Sequence, residues 1–280
     1  MKGENNIIQA REIIFRAEAL TVTSKLDQHI LLQPFTVTIC CGQWINIIGH
    51  NGSGKSTLAK YISGHEYDRL RIEGFEHRNF TGTLPIITQT TSEYLLGSTP
   101  YEDLVISYEQ FGSHHIGYAE AIEQIASALH IDHLLQLPIE QLSGGERQLV
   151  AIAGCLMMET PLLILDEITS MLAPRAKQVV MQQIRTYCAE RNIAVIWITQ
   201  QLDELQYSDT VWVMDKLALR FVGSAQQLFE EEAGTSEAER LQLPIPWAVQ
   251  KARELIGLGH SITQLPFNSE QLVKEVHTVE

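Results

Sequence analysis

Residues 49–56 read Gly-His-Asn-Gly-Ser-Gly-Lys-Ser, and no other stretch limits the fold of this chain as strongly. A loop of the form G-x-x-x-x-G-K-S requires a strand ahead of it and a helix behind it. The apolar run Trp44-Ile45-Asn46-Ile47-Ile48 leads in, and the helix-like Thr57-Leu58-Ala59-Lys60-Tyr61-Ile62 follows. Gly49, Gly52 and Gly54, with His50, Asn51 and Ser53 between them, let several backbone N–H groups converge on phosphate oxygens. The helix starting near Thr57 adds its positive N-terminal end. Lys55 is placed to reach the β- and γ-phosphates, and the Ser56 hydroxyl to ligate Mg²⁺. Together these residues imply a bound nucleoside triphosphate.

The rest of the chain reads as an α/β protein built around that loop. Leu162-Leu163-Ile164-Leu165 closes on Asp166-Glu167, and a continuous aliphatic run of this kind suits a parallel strand covered on both faces. Residues 194–199 (Ala-Val-Ile-Trp-Ile-Thr) read the same way, with helical spacing over 176–189 between the two. This β–α–β rhythm predicts a P-loop nucleotide-binding domain with a parallel core sheet. Weak alternation in Ile13-Ile14-Phe15 and Phe35-Thr36-Val37-Thr38-Ile39 predicts antiparallel N-terminal strands, and residues 83–89 a short strand ending in Gln89. Ile122, Ile125, Ala126 and Leu129 recur at helical spacing, so a helical insertion is expected at about 95–150. Residues 211–219 suit a final hairpin. The polar stretch 230–240, with Glu230-Glu231-Glu232, reads as a solvated link, and Leu243-Pro244-Ile245-Pro246 then opens a helix over 247–258. The expected division is a nucleotide-binding domain over 1–235 and a small C-terminal element over 236–280.

Composition narrows the function classes. With 20 basic and 34 acidic residues the formal charge is −14, which argues against a nucleic-acid partner. No apolar run approaches the ~18–20 residues of a membrane span, and the N-terminus lacks the apolar segment of a secretory signal. Cys40, Cys41, Cys155 and Cys188 show no metal-binding spacing, so they are expected to be small apolar residues of a reduced, cytosolic chain. His114-His115 and Met157-Met158 are read as structural for want of further ligands nearby.

Two further constellations carry chemistry. Asp166 and Glu167 stand where a strand reaches the loop level of the sheet, the place where α/β folds assemble ligand sites. Asp166 is expected to hold Mg²⁺ beside Ser56, and Glu167 to polarise an attacking water. Leu142-Ser143-Gly144-Gly145-Glu146 opens a helix. Ser143, with the Gly144 and Gly145 N–H groups, suits an anion, but Ser143 and Glu146 also make a plain capping box, and the residues alone leave both readings open.

The order phosphate loop, Gln89, Leu142–Glu146, then Leu162–Glu167 resembles the ATP-binding-cassette ATPases over roughly residues 10–225. That resemblance implies ATP and Mg²⁺ as ligands and a head-to-tail pair of cassettes. Each ATP then lies between one subunit's phosphate loop and the Leu-Ser-Gly-Gly-Glu signature of the other. It also implies that Gln89 contacts Mg²⁺ and the attacking water. Gly49–Ser56, Thr169-Ser170-Met171-Leu172 and Leu243–Pro246 resemble, more narrowly, the first-type ATP-binding subunit of energy-coupling factor importers of vitamins and metal ions. The implied partners are a second, unlike ATPase, a transmembrane T component and a substrate-capturing S component. The implied location is the cytoplasmic face of the cell membrane, with the C-terminal element pairing the ATPases. Other readings are the ATPase of a different importer, a soluble cassette protein such as an iron–sulfur assembly ATPase, and a regulatory module that binds ATP with little hydrolysis.

Three positions depart from the family pattern. Thr199-Gln200 stands where the family has Thr-His, and glutamine can donate a hydrogen bond but carries no proton. Ala173 stands where the family has Asp, in Ser170-Met171-Leu172-Ala173-Pro174. Ser24 falls where the adenine-stacking aromatic is expected, with Phe15 as a substitute. These departures imply a site that binds ATP and hydrolyses it slowly, in an asymmetric heterodimer.

Overall fold

The N-terminal alternation becomes two long strands, β1 (Ile13–Ser24) and β2 (Ile30–Cys40), paired antiparallel from Ile13 opposite Cys40 to Thr23 opposite Ile30. This computed structural model describes residues 12–65, 67–88, 95–112, 116–158, 160–232 and 234–277. The strand β3 (Trp44–Ile48) then enters a second sheet, and α1 (Lys55–Ser63) follows the glycine-rich loop. β4 (Leu70–Arg78) returns to pair with β1 and completes a three-stranded antiparallel sheet among the described residues. Sequence alternation does not single out β4, because Arg71, Glu73, Phe75 and His77 leave it largely exposed. Its Arg78 serves the phosphate-loop helix: the guanidinium donates to the backbone oxygens of Ile62 and Tyr61, at 2.6 and 2.9 Å, at the negative end of α1.

The helical insertion is present. β5 (Ile86–Thr88) is followed by α2 (Pro100–Phe111), α3 (Tyr118–Ala128) and α4 (Gly144–Leu156). Ile122, Ile125, Ala126 and Leu129 are all buried there, as their spacing predicts. β6 (Leu162–Asp166), α5 (Pro174–Glu190) and β7 (Ala194–Ile198) supply the β–α–β unit, and β8 (Thr210–Asp215) and β9 (Ala218–Ser224) the final hairpin. The main sheet runs β5–β6–β7–β3–β8–β9, parallel throughout except for β9. Its inner strands are closed off on both faces: Leu162 to Leu165 and Ala194 to Ile198 are at most 1% exposed.

The polar stretch at 230–240 is folded rather than an open link. After α6 (Ala225–Phe229) it forms the short pair β10 (Glu231–Glu232) and β11 (Thr235–Ser236), then α7 (Glu237–Arg240). Arg253 reaches back to Glu231 at 3.0 Å, and Ala238 is fully buried. α8 (Trp247–Gly257) and α9 (Ser269–His277) follow, and Ala248, Val249, Ala252, Phe267 and Leu272 share a core with Val211 and Val213 of β8.

One buried polar cluster ties the main sheet to α5. Asp209 is 2% exposed, receives two bonds from the Arg185 guanidinium at 2.9 and 2.7 Å, and accepts one from Asn46 at 2.8 Å. The same guanidinium lies 3.9 Å from the Trp44 ring centroid. Asp209→Ala is therefore expected to destabilise the protein by about 3–5 kcal/mol, because it strands a buried cation. A thermal melt should fall by roughly 10 °C; an unchanged melt would show that water relieves the pair.

Candidate nucleotide site

Strand register decides which loops meet. Ile47 of β3 stands opposite Ile198 of β7, Asp166 of β6 opposite the same Ile198, and Thr88 of β5 opposite Asp166. The phosphate loop, Asp166-Glu167 and Thr199-Gln200 thus leave the sheet at one level, the carboxyl edge where α/β folds bind ligands. Gln89, which follows Thr88, lies outside the described residues.

The phosphate loop has the strained backbone that its glycines predict. At Gly49, where φ is 145°, an added Cβ would lie 2.1 Å from the Met214 carbonyl oxygen, so only glycine fits. Gly54 caps α1 at φ 105° with no side-chain hydrogen bond, and the first turn carries no acidic residue. The N–H groups of that turn therefore face outward for an anion. The Ser53 hydroxyl is buried with no hydrogen-bond partner among the described residues. Lys55 is buried and donates to the carbonyl oxygens of Gly49 and His50 at 3.0 and 3.1 Å. Burial pulls its pKa down, while the nearby Glu167 and Asp166 carboxylates act in the opposite direction. His50, Asn51, Gly52 and Ser56 are exposed, and Thr57 is half-buried. An unsatisfied hydroxyl, uncapped N–H groups and a buried cation fit a phosphate chain. Sequence reading missed one support of the loop: Leu217, at φ 64°, donates its N–H to Ser53 O at 2.9 Å and packs beside Gly54.

The metal side of the site fits a partial donor set. Burial raises the Asp166 pKa above the usual carboxylate range, and the Ser56 hydroxyl bonded to it pulls the other way. No group of three His, Cys, Asp or Glu side chains stands ready for a metal among the described residues. Ser56 and Asp166 alone suit Mg²⁺, which takes one or two protein oxygens and completes its shell with substrate phosphates and water. A raised carboxylate pKa contributes stability that is present below its unfolded value and lost as pH rises through the folded one. Asp166→Asn is therefore expected to raise the melting temperature of the nucleotide-free protein at pH 7, with the gain vanishing in acid. A lower melting temperature at pH 7 would contradict that assignment.

Glu167 and Gln200 meet directly. Glu167 sits in the left-handed region at φ 53°, a strained conformation for a glutamate. Its N–H donates to Ile198 O at 3.0 Å, and its carbonyl accepts from the Ser170 hydroxyl at 2.8 Å. These bonds turn the side chain toward the β7 loop, where Gln200 Nε2 donates to Glu167 Oε1 at 2.5 Å.

The signature helix shows the capping geometry. Ser143 Oγ accepts from the Glu146 N–H at 3.4 Å, and Glu146 Oε2 accepts from both the N–H and the hydroxyl of Ser143 at 2.7 Å. Ser143 and Gly144 are nevertheless exposed, and Gly145 packs on Leu172 and Ala176. Met171 and Ala173, in the loop after Glu167, are exposed as well. Phe15 is unavailable to adenine, because it is fully buried beneath Arg78 and edge-on to Tyr61. Ser24 Oγ accepts from the Leu26 N–H at 3.3 Å within its own turn. Burial lifts the Cys155 and Cys188 thiols to about 12, so they behave as apolar groups. Met157 is core, and His114-His115 lie outside the described residues.

Comparison with known proteins follows the same outline. Residues 32–170 match the ABC transporter family. The energy-coupling factor transporter ATP-binding protein EcfA1 of Geobacillus kaustophilus is 32% identical over 279 residues, covering 96% of this chain and 98% of its own. The protein of the same name from Staphylococcus aureus (strain USA300) is 31% identical, covering 92% and 94%. Among solved structures, cbiO1 from Clostridium perfringens, part of the ABC transporter complex cbiONQ, superposes with a TM-score of 0.69 at 24% identity. It covers 88% of this chain and 99% of its own, a likeness of fold.

Proposed function

The chain belongs to the ABC transporter family of ATP-binding proteins, and from that premise we propose that it is the first-type ATP-binding subunit of an energy-coupling factor importer. The observation that carries this reading is similarity to a relative of that name along 96% of the chain. The partners are then a second, unlike cassette, a transmembrane T component and an S component that captures a vitamin or other micronutrient. No helix among the described residues is long and apolar enough to cross a membrane, which suits a peripheral subunit on the cytoplasmic face. Residues 236–280 serve as the dimerisation element of the cassette domain at 1–235.

In this reading ATP is the substrate. Gly49 to Ser56 and Thr57 would hold its phosphates, and Ser56, Asp166 and Gln89 would hold Mg²⁺, which would supply neutralisation of the phosphate charge. Glu167 orients and deprotonates the attacking water. Gln200 steadies the Glu167 carboxylate through its hydrogen bond, but its amide cannot exchange a proton with the reaction. The chain's own site accordingly binds ATP and turns over slowly. Ser143, Gly144, Gly145 and Glu146 complete the partner's site.

Affinity purification of the tagged chain from detergent-solubilised host membranes tests the assignment. It should recover one further ATP-binding subunit and two integral membrane proteins in fixed ratio. Recovery with soluble proteins alone would overturn it.

A further inference from the structure

Glu204 is a fully buried carboxylate that the nucleotide reading does not use. Its Oε1 accepts from Thr169 Oγ1 at 2.5 Å and faces Lys177 Nζ at 3.3 Å, and its Oε2 accepts from Trp197 Nε1 at 2.8 Å. Thr169 lies two residues after Glu167, and Glu204 lies four residues after Gln200. The Lys177 ammonium also bonds Gln201 Oε1, and meets Asp203 Oδ2 at 3.1 Å. The C-terminal element holds the same loop from its other side. Asn268 donates to Asp203 O at 3.2 Å and Gln271 to Leu205 O at 3.1 Å. Buried ion pairs add little stability over an apolar replacement, and their best-attested use is to fix one geometry.

We propose that Glu204 is a positioning residue that fastens the loop carrying Gln200 to the loop carrying Glu167, and so sets the contact between those two side chains. The catalytic meaning of that contact rests on the function proposed above; the mechanical link does not. Both loops carry backbone hydrogen bonds that report on it: Glu167 N–H to Ile198 O, Leu172 N–H to Thr169 O, Thr199 N–H to Ile47 O and Glu204 N–H to Gln201 O.

Amide hydrogen exchange on the full-length chain tests the link. Glu204→Gln keeps the side-chain volume and one acceptor but removes the charge opposite Lys177. Exchange should quicken by about tenfold in both 167–172 and 199–206, with residues 49–58 unchanged. Quickening in one loop alone, in neither, or equally across the chain overturns the proposal. Thr169→Val removes one bond without touching the charge, should give a smaller change in the same two segments, and carries the test if the glutamine variant fails to fold. In the assembled complex, single-turnover phosphate release from this site should also fall by about tenfold at unchanged ATP affinity. A parallel loss of affinity would mark Glu204 as merely structural. If the unaltered chain releases no phosphate, the hydrolytic reading fails by itself, and the exchange result still decides the link.

Discussion

Replacing Lys55 with methionine is expected to lower ATP affinity at this site by about 10²–10³-fold, the equivalent of roughly 3–4 kcal/mol. Lys55 is 5% exposed, and its ammonium is held by the carbonyl oxygens of Gly49 and His50 at the mouth of the phosphate loop. A desolvated cation beside uncapped helix N–H groups interacts with phosphate far more strongly than a surface lysine. Burial lowers the Lys55 pKa, so its charge opposes folding at every pH below the lysine value. Methionine fills the same space without that charge, and the melting temperature of the nucleotide-free protein should hold or rise. Titration with a fluorescent ATP analogue, paired with a melt, separates the effects. Unchanged affinity would remove the phosphate chain from this loop.

Glu167→Gln has the second large effect. Glu167 is the proposed general base, and loss of such a group typically costs 10²–10⁴-fold, so single-turnover phosphate release from this site should drop by about that factor while ATP still binds. Gln200 donates to Glu167 Oε1, and the glutamine variant keeps a carbonyl oxygen in reach of that donor. The side chain should therefore stay in place, and the loss should come from chemistry rather than geometry. In the proposed heterodimer, steady-state turnover should fall far less than when the partner's equivalent glutamate is changed. Equal losses would make the two sites alike.

How much of this was legible depends on the range of the interactions. The phosphate loop, β3, β6 and β7 were readable because local spacing and continuous apolarity determine them. β4 was not, since its polar, half-exposed residues are recruited by pairing with β1. The stretch 230–240 looked like a link because its charges are local, whereas Ala238 is buried by distant helices. Within the site, residue types announced Lys55, Ser56, Asp166 and Glu167. The Gln200 contact was not readable: it depends on the register of β6 against β7 and on the left-handed backbone of Glu167. Glu204 gave no signal, since a glutamate in a polar loop is ordinarily solvated, and only the approach of Thr169, Lys177 and Trp197 buries it. Phe15 shows the reverse failure, an aromatic near the expected position that the core has already taken.

The central claim is that this site binds ATP and hydrolyses it slowly because glutamine stands at position 200. Single-turnover phosphate release from this site in the assembled complex, comparing the natural chain with Gln200→His, tests it most directly. An imidazole reaching the same place can carry a proton near neutral pH, and the rate should rise by about 10–10²-fold with ATP affinity little changed. An unchanged or lower rate would contradict the account and make Gln200 a full substitute for histidine.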